Sequence, residues 1–245
     1  MNRATQPEDA RARSGSMGVP DAPLPFSGGR LPASPEELRF VERRVMAQGL
    51  VGPGLSFAAL LIGFNAGWPR LTAAGVAGFG LTALLIGWWA ARERRLFLMR
   101  TATTVRRPCR YVIYEGPAAV PYGMAFIVLG ATVVGAVAWF LTGTDLDAIR
   151  QAVLARPGRA LVPVGASLAL YGLGFAIGFG SREGTRARRW FNALLDLPAR
   201  VAGLMLIGLG AASLAIGLVD AANPVLFDRW FQAVTGNPWP FREGS

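Results

Sequence analysis

Ala118-Ala-Val-Pro-Tyr-Gly-Met-Ala-Phe-Ile-Val-Leu-Gly-Ala-Thr-Val-Val-Gly-Ala-Val-Ala-Trp-Phe-Leu141 runs without one charged side chain. A helix needs about 20 predominantly apolar residues to cross the hydrocarbon of a bilayer, and this stretch supplies them. Four more stretches of similar character follow from the same reading, at about residues 47–67, 71–91, 160–180 and 201–219. The sequence therefore predicts an all-α membrane protein, a bundle of about five transmembrane helices. The first span is the irregular one, because Gly52-Pro53-Gly54 can kink it. Its link to the second is only Trp68-Pro69-Arg70, which forces an antiparallel hairpin.

Composition agrees. Hydrophobic residues make up 52% of the chain and charged residues 16%, too little charge for the surface of a soluble domain of this length. The 31 glycines suit close approach of helices in lipid. The net charge of +10 would point to nucleic acid in a soluble protein, but here the arginines lie between apolar blocks, so no nucleic-acid partner is expected. All 25 basic residues are Arg, a chain-wide bias that reflects base composition rather than any one site. With one cysteine, Cys109, there is no internal disulfide, and with no histidine the commonest general base and metal ligand are missing. No metal or cofactor is expected.

Arginine also sets an orientation. The N-terminal segment and the loops after the second and fourth spans hold seven, seven and five; the links after the first and third spans hold one and three, and the C-terminal segment two. Basic loops stay cytoplasmic, so the N-terminus is expected inside and the C-terminus outside a bacterial inner membrane. Residues 1–33, rich in Pro, Gly, Ser and charge, read as a disordered cytoplasmic tail with no cleavable signal peptide. Residues 34–221 read as the five-helix domain and 222–245 as an extracytoplasmic amphipathic segment.

Helix starts are marked at Ser34-Pro35-Glu36-Glu37, where Ser34 can cap and Pro35 suits the first turn, and at Asn223-Pro224. Thr144 to Asp147 resembles a capping box ahead of Leu146, Ile149 and Val153. Trp190, Phe191, Leu194 and Leu195 share a face beside Arg186, Arg188 and Arg189. Phe227, Trp230, Phe231 and Val234 form an i, i+3, i+4, i+7 stripe. Each segment predicts a short helix, either in the headgroup region or packed on neighbouring protein.

Two helices match two others. Leu71, Gly75, Arg92 and Glu93 align with Leu161, Gly165, Arg182 and Glu183 at an offset of ninety; Gly123, Ile127, Leu129, Gly130 and Ala131 align with Gly203, Ile207, Leu209, Gly210 and Ala211 at eighty. A parallel duplication of a two-helix unit gives this pattern, and so does chance matching among glycine-rich helices.

No span carries an ionisable group near its centre, which argues against a familiar proton- or sodium-driven pump. The polar groups inside the spans are Ser56, Thr82, Thr132, Ser167, Tyr171 and Ser213, hydroxyls that ordinarily bond to their own helix. Glu115, in Tyr111-Val-Ile-Tyr114-Glu115-Gly116-Pro117, is a candidate gate or partner contact with Tyr111 and Tyr114. The structural alternative makes Glu115 a helix cap tied to Arg106, Arg107 and Arg110, and places both tyrosines in the aromatic belt. Cys109 reads as an incidental thiol, and Asn65 and Asp220 as boundary residues. The pairs Gly63/Gly67, Ala131/Gly135 and Gly174/Gly178 are small-xxx-small spacings, so Gly130, Gly174 and Gly178 are candidate helix-packing positions. Walker, dinucleotide, HExxH, CxxC and GxSxG motifs are absent. The expected function is a non-catalytic accessory or assembly subunit that contacts lipid and other membrane subunits or itself; the alternative is a permease or channel for a neutral or hydrophobic solute.

Overall fold

A computed structural model describes residues 29–30, 32, 34–100, 110–178 and 197–241. Five helices in it are long and apolar enough to cross a membrane. The protein is a membrane-embedded helical bundle.

The first rod is longer than expected. It starts as α1 (Pro35–Val45), widens through a π-turn (Met46–Val51) and continues as α2 (Gly52–Asn65), 31 residues in all. Ser34 caps it as foreseen, its hydroxyl accepting from the Glu37 N–H at 3.1 Å with Pro35 behind it. The expected kink at Gly52–Gly54 is replaced by the π-turn, for a steric reason. Pro53 has no N–H, and its ring crowds the carbonyl four residues back. A wider turn, in which the Gly52 N–H donates to the Ala47 carbonyl, makes room for it without breaking the helix. A tight link with Gly67 at φ +66 then leads into α3 (Pro69–Glu93).

The other spans form two hairpins. α3 packs on α4 (Ala119–Leu141), and α6 (Gly158–Ile177) packs on α7 (Leu197–Ala222). Both are closed by glycines seven residues apart. Gly80 faces Gly130 and Gly87 faces Gly123; in the second hairpin Gly158 faces Gly217, Gly165 faces Gly210 and Gly172 faces Gly203. A β-carbon placed on Gly130 would stand 2.5 Å from the Gly80 carbonyl oxygen, and one on Gly203 would stand 2.7 Å from that of Gly172. The backbones are thus in direct contact. In lipid, where burying apolar surface gives no drive, this closeness is what holds helices together.

The two hairpins are built alike, with a correction to the sequence alignment. α4 and α7 do correspond at an offset of eighty. α3 and α6 correspond through Gly80 with Gly165 and Gly87 with Gly172, an offset of 85 rather than ninety. Gly75, which the sequence aligns with Gly165, faces Ser56 and Leu60 of α2 instead.

A three-stranded antiparallel sheet at one end of the bundle was not anticipated. Its order is β1 (Gly29–Arg30), β3 (Arg110–Glu115), β2 (Arg95–Arg100). Gly29 and Arg30, expected in the disordered tail, pair with Tyr114 and Ile113. The sheet alternates its faces in the usual way for a strand. Leu96 and Tyr114 turn to the bundle, against Ala90, Ala118, Ala119 and Tyr122. On the other face Phe97 meets Phe40 of α1 edge-on at 6.2 Å.

At the opposite end lie α5 (Leu146–Ala155) and α8 (Pro224–Thr235), both foreseen as short helices. Asn223 caps α8, accepting from the Leu226 N–H at 3.1 Å. Thr144 does not cap α5: its N-cap position is Asp145, with no side-chain cap bond. The Trp239 indole N–H donates to the Leu154 carbonyl at 2.7 Å and the ring lies 4.9 Å from Phe231, tying the C-terminal segment to α5.

Candidate functional site

At the sheet end of the bundle, ion pairs join separate elements. Arg44, in the last turn of α1, makes a two-pronged ion pair with Glu93 at the end of α3, both contacts 2.6 Å. Its guanidinium also stands 4.7 Å from the Trp89 ring centre, 5.2 Å from Phe40 and 5.3 Å from Phe97. A planar cation suits both partners, pairing through its edge and stacking through its face. The first rod is clamped to α3 and β2 at this point.

One turn further along the rod, about 6 Å deeper by helical rise, the π-turn opens a cleft of about 310 Å³. Met46, Gln48 and Gly49 form its near wall, and Leu96 and Phe97 of β2 its roof. The far wall is Tyr122 and Phe126 of α4 with Tyr171 and Phe175 of α6. Those rings form one cluster: Tyr122 and Tyr171 meet edge to face at 4.6 Å, and Phe175 lies 5.5 Å from the first and 5.2 Å from the second. Tyr122 reaches across because Gly174 offers no side chain; its ring occupies the space a β-carbon there would take. Gly174 is therefore a packing position, joining the two hairpins.

Gln48 and Tyr122 escape a reading of the sequence that counts only hydroxyls well inside the spans. Gln48 sits at the start of the expected first span and so passes for an edge residue. Among the described residues its amide makes no hydrogen bond. The hydroxyls of Ser56, Thr82 and Thr132 do bond back to their own helix, to Gly52, Gly78 and Val128 at 2.8 Å each.

Glu115 is not a helix cap. It ends β3 and pairs with Arg95, its cross-strand neighbour, at 3.1 Å, while α4 starts at Ala119 with no side-chain cap. Tyr114 is fully buried under the sheet rather than in an aromatic belt, and Tyr111 lies in β3 opposite Met99. Gly130 is a packing position, as expected. Gly178 is not: it ends α6 at φ +69, and a β-carbon there would meet nothing closer than 3.9 Å. At Gly67 and Gly135 a β-carbon would meet nothing within 4 Å among the described residues. Phe227 is buried and Phe231 half-buried, and Trp230 is exposed. Trp190, Phe191 and Cys109 lie outside the described residues.

Asp220, a boundary residue by sequence, is fully buried. Its Oδ2 accepts from the Gly158 N–H at 2.8 Å, so the end of α7 caps the start of α6. No group of three or more His, Cys, Asp and Glu that could hold a metal occurs among the described residues. The chain matches no family model, no curated protein and no solved structure.

Proposed function

We propose that this protein is an accessory or assembly subunit of a bacterial inner-membrane complex, acting by helix contact, with the sheet end in the cytoplasm. One observation carries the reading. The inward glycines are used in the hairpins, yet α7, at the edge of the bundle, turns Gly208, Ala212 and Ala215 outward at i, i+4 and i+7. A β-carbon at Gly208 would meet nothing within 4 Å among the described residues. A helical glycine costs about 0.5–1 kcal/mol relative to alanine, and none of the described residues offsets it at Gly208. A second helix seated on that flat face would. Arginine supports the orientation, with nineteen in the N-terminal segment and the loops after the second and fourth spans against six in the other connections and the C-terminal segment.

The test is Gly208→Leu with Ala212→Leu, expressed at native level. Partner recovery in mild detergent is expected to fall about tenfold, with the thermal midpoint of the isolated chain unchanged. Full recovery with both leucines present would remove the basis for the reading.

A second reading, a permease for a neutral or hydrophobic solute, is favoured by the π-turn beside the cleft, since irregular helix at membrane depth lines cavities. Release of such a solute from vesicles holding the purified chain alone would support it over the first.

A further inference from the structure

We infer that the cleft beside the π-turn is a binding site for a lipid-soluble molecule whose polar end is a flat, carbonyl-bearing ring, of the quinone class. Four features of the cleft converge on this. Its place comes first: it begins one turn along the rod from the Arg44–Glu93 pair, within the first apolar span and near its charged end. Its walls come second. Phe97, Tyr122, Phe126 and Tyr171 come from three different elements and offer ring faces and edges, which suit a flat ring better than a branched or saturated one.

The third feature is Gln48. Gln48 is half-buried in a largely apolar lining and its amide makes no hydrogen bond among the described residues, so a partner there is favourable. Its NH₂ is a donor for a ring carbonyl. The fourth is size. A volume of about 310 Å³ is at the small end of ligand pockets and holds a single ring rather than paired acyl chains. Met46 is 43% exposed and lies at the edge, where a tail can leave directly into lipid. The π-turn supplies Met46, Gln48, Gly49 and Leu50 to the lining.

The measurement is retention of a radiolabelled, decyl-tailed benzoquinone by the full-length protein in lipid nanodiscs, with empty nanodiscs setting the partition background. Saturable retention above background is expected. Gln48→Leu is expected to weaken it about tenfold, the loss of one neutral hydrogen bond, with the thermal midpoint in the absence of quinone unchanged. Gln48→Asn, which keeps the amide, should recover some of the affinity. Gly208→Leu should retain the probe fully, so failure here is separate from failure of the contact reading. Retention equal to empty nanodiscs overturns the inference. So does equal affinity in Gln48→Leu, or displacement by decanol as effective as by unlabelled quinone, because either result makes the cleft a seat for an acyl chain.

Discussion

Gly130 and Gly135 are five residues apart on one helix and make opposite predictions. A side chain at Gly130 would collide with the Gly80 carbonyl and with Leu84, whereas one at Gly135 meets nothing within 4 Å. Gly130→Leu must push the α3 and α4 backbones apart, and overpacking of this kind costs about 3 kcal/mol or more where the obstacle is main chain. Gly135→Leu is expected to be neutral or to add up to about 0.8 kcal/mol through helix propensity. Thermal midpoints of the two variants in detergent check this, and equal midpoints would contradict the zipper. The sequence does not separate the two glycines by local pattern. Small-xxx-small spacing marks Gly174 correctly, but also Gly67 and Gly135, where a β-carbon would meet nothing within 4 Å among the described residues, and Gly178, where it would reach Arg200 no closer than 3.9 Å. The discriminating signal is recurrence every seven residues in two helices at once, and that is visible only when the partner helix is known.

Among the elements, the spans and their starts were legible because their causes are local. Apolar length decides a span, and Ser34-Pro35 and Asn223-Pro224 are self-contained caps. The sheet was not. Each of its longer strands is six residues, flanked by arginines in a loop whose charge dominates its reading. Its register, Leu96 to Tyr114 and Arg95 to Glu115, depends on pairing across a connection that carries no turn signature. The sheet also explains the Arg44 cage, since Phe97 comes from β2 and Phe40 from α1. Arg44→Ala removes the ion pair and the stacking together and leaves Glu93 without its guanidinium. The first rod is expected to loosen by about 2–3 kcal/mol, and Arg44→Lys to recover less than half of that, because a point charge cannot serve both contacts. Amide exchange along α1, faster in Arg44→Ala while α6 and α7 are unchanged, is the expected result.

At the scale of the molecule, two glycine-closed hairpins meet through Tyr122 and Gly174, and a single rod leans on α3. With five candidate spans among the described residues, the sheet end and the α5/α8 end lie at opposite ends of the bundle. Reporter fusions test the proposed direction: a periplasmic reporter should be silent in the loop between β2 and β3 and active after Trp239, and the reverse pattern would invert the protein.

The recurrence every seven residues has a further consequence. A rack whose teeth are evenly spaced can engage one notch off. Sliding α7 along α6 by one heptad, about 10 Å, would still set two of the three glycine pairs face to face, so the backbone contact by itself barely distinguishes the true alignment from its neighbours. Asp220 breaks the tie. Shifted one way its carboxylate enters the hydrocarbon; shifted the other it leaves the Gly158 amide behind. A residue that reads in the sequence as the unremarkable end of a span is the index mark by which an otherwise ambiguous pair of helices finds its one alignment.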